Sequence, residues 1–211
     1  MSLATTDGDQ KGNIMAFDYA IVLTGSIGTG KSSVSKIFTS FGFAMIDADK
    51  IAHQILDEQY QKVAQLFGSD LIKNNKVDRK ALGAIIFADP AKRKVLEALL
   101  HPLIYDEIER QASKQDRLKK PYIIDIPLFF EGGRYPIARS LVVYAAKEQQ
   151  LKRLMQRDGY NTEDALKRIE TQIDVDEKRK RATYTIDNSG DLEQLQQECE
   201  RVKEEILGDF K

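Results

Sequence analysis

The sequence predicts an α/β protein with a five-stranded parallel sheet flanked by helices. This prediction depends on short apolar runs that alternate with helical patterns, at residues 19–24, 44–47, 122–126, 141–145 and 182–186. Strands and helices that alternate along a chain are typical of parallel sheets, because parallel neighbours need a crossover connection. With 211 residues, the chain is long enough to bury such a sheet and to carry an insertion.

The first strand leads directly into a glycine-rich loop. Residues 25–32 read Gly-Ser-Ile-Gly-Thr-Gly-Lys-Ser, which matches G-x-x-x-x-G-K-[ST], and a helical pattern follows at 33–41. In such a loop, backbone N–H groups surround phosphate oxygens, Lys31 adds a full charge and Ser32 offers its hydroxyl to Mg²⁺. We therefore expect a P-loop nucleotide site formed by Gly25, Gly28, Thr29, Gly30, Lys31, Ser32 and Ser33.

Two aspartates follow the second strand. Asp47 and Asp49 lie in Met-Ile-Asp-Ala-Asp-Lys, at the end of the strand where open α/β sheets bind ligands. Because they are two residues apart in extended chain, their side chains are expected to face one way. Either one could instead cap the helix at 50–56, and the pair could divide the two roles. The sequence leaves open which carboxylate would activate an acceptor hydroxyl.

A long stretch separates the second strand from the third. Residues 49–113 read as several helices instead of a loop, which predicts a helical insertion. Apolar residues at helical spacing from Val95 to Ile108 give it enough apolar surface to form a wall. Within this run, Pro102 is expected to begin a new helix after His101.

The third and fourth strands lead to further polar groups. The third strand ends on Asp125, where P-loop proteins place an acidic residue that contacts Mg²⁺, usually through water; a solvated loop carboxylate is the alternative. After the fourth strand, residues 147–180 are highly charged and predict an exposed helical flap. Arginines are spaced along this part of the chain, at Arg153, Arg157, Arg168, Arg179 and Arg181.

Composition limits the classes of function. The chain has 32 basic and 33 acidic residues and no tryptophan, which gives no bulk attraction for nucleic acid or membranes. The single cysteine, Cys199, falls on an apolar helix face, so a disulfide framework is excluded. No apolar run approaches the ~18 residues that cross a bilayer. We expect a cytoplasmic protein without nucleic-acid, membrane or protein partners, and interpret residues 1–18 as a flexible leader or a cloning scar.

Two short patterns would suit a GTPase switch. Residues 75–78 spell N-K-x-D and residues 187–190 spell D-x-x-G, but in switches D-x-x-G comes first, and Asn75 falls in a polar turn. We interpret both as coincidences. A kinase for a small acceptor needs a carboxylate near the P-loop, a region that holds the acceptor and mobile basic residues, and all three are present. Another small-metabolite or nucleoside-monophosphate kinase stays open as an alternative, and a nucleotide-dependent switch is less favoured.

Six segments carry a resemblance to a known family. TGSIGTGKSS, IDADKIAH, LLHPLI, DIPLFFE, LKRLMQRD and IDNSG occur in the order seen in dephospho-coenzyme A kinases, which the chain resembles from residue 19 to about residue 190. The resemblance implies a P-loop NTPase core (residues 19–49, 117–152 and 181–211), a helical substrate insertion (50–116) and a helical lid (153–180). It also implies phosphorylation of the ribose 3′-hydroxyl of dephospho-coenzyme A by Mg-ATP, the last step of coenzyme A synthesis.

The resemblance implies roles for single residues. Asp49 matches the family's proposed catalytic base, with Asp47 as its neighbour, while Asn188 and Gly190 look like the adenine-side wall. The implied catalytic residues are Asp49, Lys31, Arg153 and Arg157. The implied substrate contacts are Asp47, Asp49, His101 and Pro102, although His101 alone would suggest only local packing, since neither histidine belongs to a spaced ligand cluster. Ser32 and Asp125 are the implied Mg²⁺ ligands.

Overall fold

The protein is described by a computed structural model covering residues 16–211, so the predicted leader falls almost wholly outside the described residues. Within them the strands are β1 (Ala20–Gly25), β2 (Met45–Asp47), β3 (Ile72–Lys73), β4 (Lys76–Val77), β5 (Tyr122–Asp125), β6 (Arg139–Tyr144) and β7 (Tyr184–Asp187). The main sheet has the order β2-β5-β1-β6-β7, and all of its neighbours are parallel. This confirms the predicted fold class.

The helices that the structure describes surround this sheet. They are α1 (Lys31–Ser40), α2 (Ala48–Glu58), α3 (Tyr60–Phe67), α4 (Arg79–Ala88), α5 (Pro90–Asp116), α6 (Phe129–Gly132), α7 (Lys147–Asp158), α8 (Thr162–Glu170), α9 (Val175–Arg181) and α10 (Leu192–Asp209), with a 3₁₀ turn at Ser69–Leu71. None of these helices is long and apolar enough to cross a membrane.

The core lies on both faces of the sheet, because alternate residues of β1 point to opposite sides. Val22 belongs to the apolar cluster under α2 and α5, while Ile21 and Leu23 belong to the cluster under α1 and α10. Helices on both faces explain why β1 reads as one continuous apolar run. Cys199 is fully buried in the second cluster, as its position on an apolar face predicts.

The chain between β2 and β5 corrects one sequence prediction. Pro102 begins no helix, since α5 continues unbroken through it from Pro90 to Asp116. The missing N–H at Pro102 costs one helical hydrogen bond, but buried residues on either side, Leu96 and Ile108 among them, hold both halves against one core. Tertiary packing therefore outweighs the local preference of proline.

A small hairpin in the same stretch was not predicted. β3 and β4 are antiparallel and are joined by Asn74 and Asn75, which both have positive φ. Asparagine tolerates this left-handed conformation and is common in two-residue hairpin turns. The strands are only two residues long, too short to leave an alternating pattern in the sequence.

Candidate active site

The glycine-rich loop joins the end of β1 to the start of α1. Gly28 and Gly30 have φ values of 80° and 88°, in the left-handed region that favours glycine. A Cβ atom at Gly28 would also lie 2.7 Å from the carbonyl oxygen of Gln150. Both backbone conformation and close approach therefore require glycine here.

Groups from β7 and α7 hold the loop in this shape. The Asn188 side chain donates a hydrogen bond to the Thr29 carbonyl at 2.7 Å, and Thr29 donates through its hydroxyl to the Ser26 carbonyl at 2.8 Å. Arg153 donates to the Asn188 carbonyl at 2.9 Å. Because Thr29 and Asn188 are buried, these bonds are shielded from water. These bonds between protein groups stabilise the conformation of the loop.

A cavity of about 580 Å³ lies above the loop; we call it the loop cavity. The loop residues that line it and that the motif singled out are Gly25, Gly28, Gly30, Lys31 and Ser32. Thr29 instead supports the loop from behind. The exposed Ser33 lies in α1 and donates its N–H to Gly30 at 2.9 Å.

Lys31 forms an ion pair with Asp125 at the floor of the site. Asp125 is buried and stands opposite Asp47 in the register of β5 and β2. Burial raises the pKa of Asp125; Lys31 opposes this shift, whereas the charges of Asp47 and Asp49 add to it. Three carboxylates therefore interact around Asp125, and their oxygens are of the kind that hard cations prefer.

The structure separates the two aspartates that were expected to face one way. Asp47 is the N-cap of α2 and accepts a hydrogen bond from the Lys50 N–H at 2.9 Å. Burial raises its pKa, but this hydrogen bond and the charge of Lys50 outweigh that effect, so the pKa of Asp47 is lowered. The extended-chain premise was wrong because α2 already begins at Ala48, which places Asp49 in the first helical turn.

Asp49 lines a second cavity, of about 670 Å³, which we call the insertion cavity. His101 and Pro102 of α5 line it too, so three of the four predicted substrate contacts meet here, and Asp47 does not line it. Burial lowers the pKa of His101, and the positive charge of Arg134 lowers it further. The negative charge of Glu97 raises it, but by less than these two effects lower it.

An aromatic wall in the insertion cavity was missed from the sequence. Tyr105 and Tyr135 both line the cavity and stack with ring centroids 5.5 Å apart and planes 7° apart. Arg134 lies in the same lining. Thirty positions separate the two tyrosines in the printed sequence, and no local motif marks either of them.

The two cavities meet. Pro127 and Gln172 line both of them, and the Gln172 side-chain oxygen accepts a hydrogen bond from the Ile27 N–H of the loop at 2.9 Å. Nothing in the sequence pattern singled out Gln172, which lies between two charged helices. Only the three-dimensional structure shows that Gln172 lines both cavities.

The predicted arginines differ in their surroundings. Both Arg153 and Arg157 line the loop cavity. Arg153 is tied to β7 through Asn188, whereas Arg157 is largely exposed and bonded to Asp158 at 2.8 Å. Gly190 lines neither cavity; its N–H donates to Gln194 at the start of α10.

A buried lysine connects α9 to the phosphate loop and to α6. Lys178 of α9 has a fully buried side chain that donates to the Gly25 carbonyl at 2.8 Å and forms an ion pair with Glu131 of α6 at 2.7 Å. The sequence predicts an exposed helical flap over residues 147–180, which includes Lys178. Lys178 is neither solvated nor in the lining of either cavity.

Comparisons with known proteins identify the family of this chain. The sequence profile of the family described as dephospho-CoA kinase matches residues 19–194. Dephospho-CoA kinase of Sulfurimonas denitrificans is 51% identical, over 93% of this chain and 98% of that protein. Dephospho-CoA kinase of Helicobacter pylori (strain 26695) is 44% identical, over 92% of this chain and 100% of that protein. The solved structure of dephospho-CoA kinase from Campylobacter jejuni has a TM-score of 0.74 at 41% identity, covering 89% of this chain and 96% of that chain. The chain belongs to the dephospho-CoA kinase family.

Proposed function

We propose that this protein transfers the γ-phosphoryl group of ATP to the ribose 3′-hydroxyl of dephospho-CoA, giving CoA and ADP. One observation carries the proposal: a phosphate-binding loop cavity opens onto a second cavity that presents the carboxylate of Asp49. Nucleotide and acceptor can therefore meet at Pro127 and Gln172. As a member of a kinase family, the protein uses a nucleotide as phosphoryl donor.

The loop cavity would hold the nucleotide phosphates. The loop N–H groups and the start of α1 provide positive potential, and Lys31 provides a full charge. In the structure Lys31 is paired with Asp125. Phosphate oxygens would compete for Lys31 and so free Asp125 for another cation.

Ser32 and Asp125 fit the requirements of Mg²⁺, which prefers hard oxygen ligands and usually keeps several waters. No cluster of three or more metal-ligating side chains exists among residues 16–211, so phosphates and water would complete the coordination. A bound Mg²⁺ would neutralise charge on the phosphates. Its place is proposed from these two side chains alone.

The insertion cavity would hold the acceptor. Its volume falls within the range of about 300–1,000 Å³ that is typical of small-molecule sites, and its lining combines aromatic faces with Arg134 and His101. Asp49 would orient the 3′-hydroxyl and accept its proton as the oxygen attacks the γ-phosphorus. Direct in-line transfer of this kind needs no phosphoenzyme.

The arginine-bearing helices would act as a lid. Arg153 and Arg157 lie over the loop and would stabilise charge on the transferring phosphoryl group. Closure should exclude water, which would otherwise take the phosphoryl group, so we expect little ATP hydrolysis without acceptor. The proposal places the reaction in the cytoplasm, where a synthetic step has its ATP supply.

A coupled ADP-release assay tests the proposal. Purified protein with Mg-ATP is given dephospho-CoA, AMP, shikimate, gluconate or no acceptor, and products are identified by mass. We expect turnover confined to dephospho-CoA, with CoA as product. Turnover with a different acceptor would overturn the substrate while keeping the kinase chemistry, and silence with every acceptor would favour a nucleotide switch.

A further inference from the structure

We propose that Gln172 contacts the phosphoryl group during transfer, as a residue of the reaction centre in addition to Lys31, Asp49 and the arginines. This inference rests on the function proposed above and deepens it. Gln172 lines both the loop cavity and the insertion cavity. Gln172 and Pro127 line both cavities, so the side chain of Gln172 lies where a group transferred from one cavity to the other would come close to it.

The hydrogen bond to the loop engages one end of the Gln172 amide. The side-chain oxygen accepts the Ile27 N–H at 2.9 Å, so this end is already occupied. The nitrogen, with two N–H donors, has no acceptor among the hydrogen bonds of residues 16–211. An amide that is anchored at its oxygen and free at its nitrogen is suited to donate to an anionic oxygen.

The backbone around Gln172 is held from two sides, which makes the position of its side chain definite. Next to it, the Ile173 N–H donates to Glu131 of α6 at 3.1 Å, and the Ile173 carbonyl accepts from the Ser26 hydroxyl of the loop at 3.4 Å. Glu131 in turn pairs with buried Lys178, which donates to Gly25. Gln172 is thus tied both to the phosphate loop and to α6, which borders the insertion cavity.

Charge also favours an amide at this junction. Asp49 lines the insertion cavity, Asp125 stands near it, and both phosphoryl donor and acceptor approach as anions. A carboxylate at position 172 would repel the transferring group, while an apolar side chain would offer it no hydrogen bond. Glutamine adds N–H donors without adding charge, so it can assist the transfer while leaving the cationic roles to Lys31 and the arginines.

Two variants of Gln172, compared together, separate this role from anchoring of the loop and from charge repulsion, because Gln172→Glu keeps the anchor and Gln172→Met adds no charge. Gln172→Glu keeps an oxygen acceptor for the Ile27 N–H but lacks the donor, whereas Gln172→Met keeps the length and lacks both. Each is compared with wild type for kcat, for KM of dephospho-CoA and ATP, and for Tm. Gln61→Glu, at an exposed position on α3 outside both cavities, is the matched control for the same charge change.

We expect both variants to lose about 10²-fold in kcat, the scale of one lost donor to a developing charge, with a smaller change in KM and an unchanged Tm. The deficit of Gln172→Glu should shrink as the pH falls and protonation restores a donor. A wild-type kcat in Gln172→Glu would show that only the bond from the Ile27 N–H to the side-chain oxygen is needed, and it would overturn the inference. A wild-type kcat in Gln172→Met would overturn it as well. Inactive wild type would instead overturn the proposed function, and the inference with it.

Discussion

The loop cavity and the insertion cavity are built in different ways. The loop cavity takes most of its shape from one continuous stretch, residues 25–32, whose backbone conformation needs glycine at defined positions. The insertion cavity is assembled from α2, α5 and the chain after β5, with side chains that come from distant parts of the sequence. In the proposed function, the loop provides a phosphate site that many reactions could use, and the insertion cavity would select the acceptor.

The sharpest test of this division is Asp49→Asn, which removes the only proposed base from the acceptor side. We expect kcat to fall about 10³-fold, because a positioned acid-base group contributes about 10²–10⁴-fold. Nucleotide binding should stay unchanged, since Asp49 lines the insertion cavity and not the loop cavity. Single-turnover kinetics and ATP titration measure the two effects separately.

Asp47→Asn is the matched control for the same chemical change. Asparagine caps helices about as well as aspartate, so α2 should keep its N-cap bond to Lys50. We expect nearly normal kcat. A large loss in this variant together with near-normal Asp49→Asn would move the base to Asp47 and contradict the geometry.

A second test compares two arginines of the loop cavity. Arg157→Ala should slow transfer about 10²-fold with little effect on ATP affinity, because this exposed side chain is bonded to its neighbour Asp158 and does not hold the loop. Arg153→Ala should weaken ATP binding and transfer together, since Arg153 holds the loop through Asn188. Equal losses of binding and transfer in the Arg157 variant would show only a ground-state contact.

The aromatic wall should affect only the acceptor. Tyr105→Leu keeps apolar volume but removes an aromatic face from the cavity wall, and we expect KM for dephospho-CoA to rise about 10-fold, since the acceptor would lose an aromatic contact of about 0.5–1.5 kcal/mol. KM for ATP should not change. Phe87→Ala, at a 94% exposed position of α4, is the control and should change neither KM value. A shift in the ATP constant for Tyr105→Leu would contradict the separation of the cavities.

The smallest expected effect concerns stability. The folded state raises the pKa of Asp125 above its ordinary value of 3.8, so ionised Asp125 disfavours folding once the pH exceeds that value. The free energy of unfolding of wild type should fall relative to that of Asp125→Asn as the pH rises from 3.8 through the raised pKa. Above the raised pKa, the difference between the two proteins should stay constant. The Tm of the variant minus the Tm of wild type should therefore increase from acid to neutral pH, by about 2–4 °C for each 1 kcal/mol. Calorimetry without nucleotide at several pH values checks this, and a difference that falls as the pH rises would contradict it.

The difference between the loop cavity, formed by one continuous stretch, and the insertion cavity, formed by distant residues, explains what the sequence could predict. The sheet and the phosphate loop were predictable because apolar runs and glycine positions are local signals, and Lys31 and Ser32 line the loop cavity as the motif indicates. Long-range packing carried α5 through Pro102 and buried Lys178 in a stretch that reads as surface. A local effect, the N-cap formed by Asp47, began α2 early enough to separate Asp47 from Asp49.

The most direct test of the account is a crystal structure with dephospho-CoA and a non-hydrolysable ATP analogue bound together. The account predicts the triphosphate in the loop cavity, dephospho-CoA in the insertion cavity, and the ribose 3′-hydroxyl within hydrogen-bond distance of Asp49 and in line with the γ-phosphorus near Pro127 and Gln172. An acceptor bound away from the insertion cavity, or a 3′-hydroxyl directed away from Asp49, would contradict it.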